Sequence, residues 1–61
     1  MEFYYIRTDR NYLVNIDFLE EFMNECGFKE SGYNDVIEYA KYKCSRFEKI
    51  YISNDFDFIE L

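Results

Sequence analysis

The stretch that most constrains the fold is residues 16–28, which combine a helix start signal, an apolar stripe and a helix stop signal. Asp17 is expected to cap this helix, and Glu20 three residues later completes a D-x-x-E capping box. Gly27 is expected to end it, with the ring of Phe28 returning to the stripe in a Schellman motif. The stripe has the three- and four-residue spacing of one buried helix face, through Phe18, Leu19, Phe22, Met23 and Cys26. These residues predict a short helix that packs one face on another layer.

Two strands are predicted before this helix. Residues 3–7 and 12–16 are rich in aromatic and β-branched side chains, which favour extended structure. The four polar residues between them suit a hairpin loop. Successive side chains of a strand point to opposite faces, and both faces of each strand carry apolar groups. The alternation therefore does not show which face is buried.

A second helix and further strands are predicted after the first helix. Asn34 is expected to cap a helix over residues 35–47, with acids near its start and bases near its end. Residues 49–53 alternate as a strand, and residues 56–61 form either a fourth strand or an ordered tail. The second helix has an apolar stripe of Val36, Ile37, Ala40, Cys44 and Phe47, flanked by Tyr39 and Tyr42.

The resulting order, ββααβ(β), indicates an α+β fold: a small antiparallel sheet of three or four strands with two helices packed on one face. At this length we expect residues 1–61 to form a single small domain. No apolar run approaches the ~20 residues of a membrane span, and Met1 is followed by an acid rather than a basic leader segment. We therefore expect a soluble, cytoplasmic protein.

The charge balance points to a protein partner with a basic surface. Seven Lys and Arg against thirteen Asp and Glu give a net charge of −6, which argues against direct binding to DNA, RNA or an anionic membrane. The charge is uneven: residues 11–40 sum to −6, whereas residues 41–49 sum to +3. We expect no contact with nucleic acid or membrane.

The sequence lacks the residues that most catalytic and metal sites use. It has no His, no Gly-rich phosphate loop and no G-x-S-x-G motif. Seventeen residues separate its two cysteines, there is no C-x-x-C, and the pair does not make a zinc site. We expect no enzyme activity, no metal and no cofactor. Cys26 and Cys44 lie on apolar stripes and are expected to be buried, reduced thiols; a disulfide between the helices is the alternative.

The first helix also has an acidic face without a base, formed by Asp17, Glu20, Glu21, Asn24 and Glu25. Two like-charge pairs, Asp17–Glu21 and Glu21–Glu25, each destabilise the helix by a few tenths of a kcal/mol. Such carboxylates recur about every 6 Å along a helix, and Asp55 and Asp57 are about 6.6 Å apart on an extended chain. These spacings are of the order of those between neighbouring phosphates. The alternative is a solvated face that keeps a small protein soluble.

Seven tyrosines exceed what a small core needs. Either they are half-buried with the hydroxyl in water, or some form a contact surface, for which we name Tyr4, Tyr39, Tyr42 and Tyr51. An exposed aromatic patch is also compatible with a homodimer. The residues that we predict to bind a partner are Asp17, Glu20, Glu21, Asn24, Glu25, Tyr39, Tyr42, Asp55 and Asp57.

In size, acidity and tyrosine content the chain resembles the small inhibitors that phages use against host nucleic-acid enzymes, including anti-CRISPR proteins and DNA mimics. Residue types with AT-rich codons number 31 and those with GC-rich codons only 6, which favours a phage or bacterial origin. This resemblance of composition implies a non-enzymatic inhibitor that blocks a basic groove of a bacterial nucleic-acid-handling defence or host enzyme. The alternative is a small regulatory or assembly subunit, antitoxin-like or homodimeric, that binds through an aromatic surface.

Overall fold

Along the chain, two strands are followed by two helices and then by two more strands. The computed structural model describes residues 1–26 and 32–61. The elements are β1 (Glu2–Arg7), β2 (Asn11–Asn15), a 3-10 turn (Ile16–Phe18), α1 (Leu19–Glu25), α2 (Val36–Lys43), β3 (Arg46–Tyr51) and β4 (Phe58–Glu60). They form a four-stranded antiparallel sheet with two helices, which confirms the predicted α+β class. In the described ranges, neither helix is long and apolar enough to cross a membrane.

The first strand, β1, lies at the centre of the sheet, whose order is β3-β1-β2-β4. It pairs with β2 through the predicted hairpin and with β3 on its other side. Tyr4 therefore lies between Val14 and Lys49, and Tyr5 lies between Leu13 and Glu48. Residues 56–61, expected to be either a fourth strand or an ordered tail, contain β4, which adds to the free edge of β2.

The core lies between one sheet face and the two helices. Its buried residues are Tyr4, Ile6 and Val14 from the sheet, Leu19, Phe22 and Met23 from α1, and Tyr39, Ala40 and Cys44 in or next to α2. The sheet face that carries Tyr4 is thus the one that the helices cover. Phe3 is also fully buried, but its ring lies on the opposite face, 4.4 Å from the ring of Phe56. Because both sheet faces bury apolar groups, the alternation in the sequence could not show which face packs against the helices.

The first helix is shorter than the predicted 16–28 and has a different cap. Asn15, not Asp17, caps the 3-10 turn, since its Oδ1 accepts a hydrogen bond from the backbone N–H of Asp17 at 2.9 Å. Asn15 ends β2, so its side chain already lies beside the first unpaired N–H groups of the turn. The predicted stop at Gly27 and the Phe28 contact lie outside the described residues.

The second helix ends earlier than predicted. Its cap is Asp35, not Asn34, because Asp35 Oδ1 accepts a hydrogen bond from Ile37 N–H at 2.8 Å. The chain leaves the helix after Lys43 and enters β3 at Arg46, so the predicted helix end at residue 47 and strand start at residue 49 were wrong. Residues 46–51 instead pair with β1 over six positions, and Phe47 packs its ring 4.6 Å from that of Tyr4.

Both cysteines are free thiols, as predicted, but only one is buried. Cys44 belongs to the core. Cys26 follows the last residue of α1 and is exposed, so its predicted burial was wrong. Burial raises the pKa of the Cys44 thiol. Partial desolvation by neighbouring atoms raises the pKa of the Cys26 thiol, and the Glu25 carboxylate raises it further.

We predict that the native protein takes up one alkyl group quickly, at Cys26, and a second only after unfolding. The thiolate is the reactive form, so the raised pKa makes Cys26 slower than a cysteine in an unfolded peptide at neutral pH. Its rate should rise about tenfold per pH unit below that pKa. Intact-mass measurements during iodoacetamide treatment follow both adducts.

The matched controls are Cys26→Ser and Cys44→Ser. The first should remove the fast adduct, and the second should leave it unchanged. Two adducts forming at the same rate in native protein would contradict the placement of Cys44 in the core.

Candidate functional site

The acidic face predicted for the first helix is exposed. The side chains of Asp17, Glu20, Glu21, Asn24 and Glu25 all face solvent. Within residues 1–26 and 32–61 none of these acids forms an ion pair. The three ion pairs found there all join sheet or hairpin residues: Arg10–Glu60, Arg46–Glu48 and Lys49–Glu2. Arg10, Arg46 and Lys49 are thus partnered by acids of the sheet, and within these ranges no ion pair joins a Lys or Arg to the helix carboxylates.

The fold brings acids from two distant segments together. Asp17 and Glu21 of the first helical segment line one surface depression of about 450 Å³ with Asp55 and Asp57 of the β3–β4 connection. We call these four residues the acidic surface. The other lining residues are Met1, Asn15 and Phe18, so no Lys or Arg side chain lines the depression.

Asn15 joins the two halves of the acidic surface. Its Oδ1 caps the turn that carries Asp17, at 2.9 Å from the backbone nitrogen. Its backbone N–H donates to the carbonyl of Asp57 at 2.8 Å, and its Nδ2 donates to the carbonyl of Phe56 at 3.4 Å. The Phe56 ring, packed on Phe3, fixes the connection from the other side. The sequence analysis did not predict this role for Asn15. The signal that could have indicated it is the side-chain oxygen of Asn15, which lies directly before the helical segment.

The remaining predicted acids lie outside this surface. Glu20 lines a second depression of about 490 Å³ between the start of the first helix and the start of α2, as does Asp17. Half-buried Ile16, Val36 and Ile37 contribute to its lining. Asn24 and Glu25 line neither depression. The predicted helix face is therefore divided, and only part of it meets Asp55 and Asp57.

The predicted tyrosines separate into two buried and two exposed residues. Tyr39 is only 6% exposed and Tyr4 is also buried, so neither offers contact area and their inclusion was wrong. Tyr39 packs against Tyr33 in the core, with ring centroids 5.3 Å apart. Tyr42 and Tyr51 are 69% and 78% exposed but line neither depression.

Two basic residues of the hairpin and the sheet, Arg10 and Lys49, are each held by an acid. The Arg10 guanidinium donates a hydrogen bond to Glu60, which raises the pKa of Arg10. The Lys49 ammonium donates a hydrogen bond to Glu2, which raises the pKa of Lys49. Both shifts favour the charged form of a residue already paired. The acidic surface therefore carries only carboxylate side chains as charged groups, whereas the charges of Arg10 and Lys49 are each neutralised by an acid.

Among the described residues, no group of three or more His, Cys, Asp or Glu side chains could hold a metal ion. Comparison with family models, with curated proteins and with solved structures finds no match.

We predict that Asn15→Ala destabilises the protein by about 1 kcal/mol, the usual effect of losing a helix cap. It should also loosen the link between the 3-10 turn and the β3–β4 connection. Urea unfolding measures the first effect, and faster amide exchange in residues 55–57 measures the second.

The matched control is Asn34→Ala, which removes the asparagine that does not cap α2. It should change the unfolding free energy by less than about 0.5 kcal/mol, as for an exposed surface substitution. Equal effects of the two substitutions would contradict the role of Asn15.

Proposed function

We propose that this protein is a non-enzymatic inhibitor that binds a basic groove on a bacterial nucleic-acid-handling enzyme. The groove would belong to a defence or host enzyme, and the inhibitor would be phage-encoded and act in the host cytoplasm, in the manner of an anti-CRISPR protein or a DNA mimic. The single observation that supports this proposal is the convergence of Asp17, Glu21, Asp55 and Asp57 on one depression without a lining Lys or Arg.

The cost of this arrangement supports a role beyond solubility. Asp17 and Glu21 are a like-charge pair one helical turn apart, which disfavours the helix by a few tenths of a kcal/mol. Adding Asp55 and Asp57 from the β3–β4 connection increases the repulsion. A chain that needed only solubility could interleave its acids with bases, as the sheet does with Lys49 and Glu2.

Charge attraction would govern binding to such a partner. A negative surface steers association with a positive groove, and salt at about 1 M shortens the screening length to about 3 Å. A partner that binds nucleic acid in the same groove would be unable to hold both ligands. Competition with nucleic acid is therefore the expected mode of inhibition.

The rival function is a small regulatory or assembly subunit that binds through aromatic surface. Its remaining support is the exposure of Tyr42 and Tyr51. Binding of that kind rests on apolar area and would be nearly indifferent to salt, which separates it from the proposed inhibitor.

We predict that tagged protein captures a basic, nucleic-acid-binding partner from bacterial lysate at low salt and releases it at high salt. A short duplex DNA should also elute this partner. Glu21→Lys should weaken the interaction at least tenfold, about 1.4 kcal/mol, because a like charge would then face the basic groove. Mass spectrometry identifies the partner, and titration with the purified partner measures the affinity.

Glu38→Lys is the matched control, because Glu38 is also an exposed helical acid but lies on α2 and lines neither depression. It makes the same change in net charge and should alter the affinity less than threefold. A partner that survives high salt and binds both variants equally would rule out the acidic surface as the binding site.

A further inference from the structure

The sheet face opposite the helices is not covered by any described helix. We call it the far face. Tyr4 and Ile6 point to the helices, so by alternation Phe3, Tyr5 and Arg7 point to the far face. Contacts across the strands agree with this: the Arg46 guanidinium lies 4.9 Å from the Tyr5 ring centroid, and Phe3 packs on Phe56.

Apolar side chains follow one diagonal of the far face. Register and alternation place Ile50 at one corner, Tyr5 and Leu13 in the middle row, and Ile59 and Leu61 toward the opposite corner. Ile59 is 40% exposed and Leu61 is 61% exposed. An antiparallel sheet with one solvated face usually alternates cleanly between apolar and polar residues, and a contiguous exposed apolar patch commonly marks an interaction site.

The other diagonal carries opposite charges at its two ends. At one corner Arg7 and Arg46 occupy directly opposite positions of β1 and β3, where like charges repel. Arg46 pairs with Glu48, whereas Arg7 has no ion pair within residues 1–26 and 32–61. The negative charge at the opposite end of this diagonal is Asp57, which directly precedes β4. The backbone carbonyl of Asp57 accepts a hydrogen bond from the backbone N–H of Asn15 in β2.

This pattern is self-complementary, and we propose that a second copy of the chain covers the far face. A two-fold axis along the apolar diagonal brings the apolar side chains near this line, from Ile50 to Leu61, toward those of the second copy. The same axis exchanges the charged corners, so Arg46 and its neighbour Arg7 in one copy approach Asp57 of the other. Arg46 already pairs with Glu48, which leaves the Arg7 guanidinium to meet the Asp57 carboxylate. Strands inclined at about 45° to this axis cross those of the partner at about 90°, which is one of the two preferred angles for packed sheets.

The size of the far face predicts a weak, reversible dimer. Four strands about 4.8 Å apart and six residues at about 3.3 Å each give an area of roughly 19 by 20 Å. This is below the ~800 Å² per partner of a standard interface. Dimerisation would leave Asp17 and Glu21 exposed, because α1 packs on the opposite sheet face, and would share only Asp57 with the acidic surface. The inference does not depend on the proposed function.

Sedimentation of the purified chain from about 10 µM to about 1 mM tests the proposal, since weak dimers dissociate in this range. We expect the weight-average mass to rise toward that of a dimer. Ile59→Lys should keep the chain monomeric throughout, and Leu61→Lys, at the most exposed position of the patch, serves if the first variant is unfolded by circular dichroism. Tyr51→Lys adds the same positive charge on the helix side of β3, and this variant should dimerise like the unmodified chain.

A charge exchange tests the two-fold arrangement itself. Arg7→Glu and Asp57→Arg should each weaken dimerisation at least tenfold, and the double variant should restore it to within about threefold. A chain that stays monomeric at 1 mM would overturn the proposal. Dimerisation unaffected by Ile59→Lys and Leu61→Lys, or a double variant no better than the single ones, would also overturn it.

Discussion

Burial of apolar side chains on both faces of β1 is the constraint on which the rest of the structure depends. Tyr4 and Ile6 pack under the helices, while Phe3 is fully buried on the other face beneath Phe56. Because β1 pairs with both β2 and β3, it holds each later element against one of these two layers. A short chain has little surface to bury, and using both faces of one strand compensates for its length. Because apolar residues lie on both faces of the sheet, part of the far face is apolar and exposed to solvent.

The candidate site depends on where β2 becomes a helix. Asn15 is the last residue of β2, caps the following turn and bonds to the connection that precedes β4. The backbone of β2 thus fixes Asp17 on one side and Asp57 on the other. Carboxylates repel one another, so they stay together only because neutral hydrogen bonds and ring packing hold their backbones. The acidic surface therefore depends on the hydrogen bonds at the end of β2 and not on the helix alone.

The periodicity of the sequence was sufficient to predict the fold class, both helices and the first three strands. It left residues 56–61 open between a fourth strand and an ordered tail, and the boundaries of the elements depended on tertiary contacts. Neighbouring cap residues, such as Asn15 and Asp17, carry equivalent acceptors, and only the turn of the chain selects one. Phe47 fits the helical stripe and a strand equally well; pairing with β1 decides between them. The meeting of Asp55 and Asp57 with α1 depends on the long-range pairing of β2 and β4. No local spacing in the sequence encodes that contact, and the buried position of Tyr39 is likewise set by tertiary packing.

The two proposed interaction surfaces lie on opposite sides of the sheet, and this separation has a consequence for binding. A two-fold dimer through the far face would direct both α1 helices outward, so each copy would present Asp17 and Glu21 to a separate groove. A partner with two basic sites could then be bound twice, which raises the apparent affinity through effective concentration without any new contact. Asp57 is the one residue common to both surfaces. Pairing it with Arg7 would remove one carboxylate from the acidic surface, so dimerisation and binding of a basic groove would be weakly antagonistic at that residue and otherwise independent.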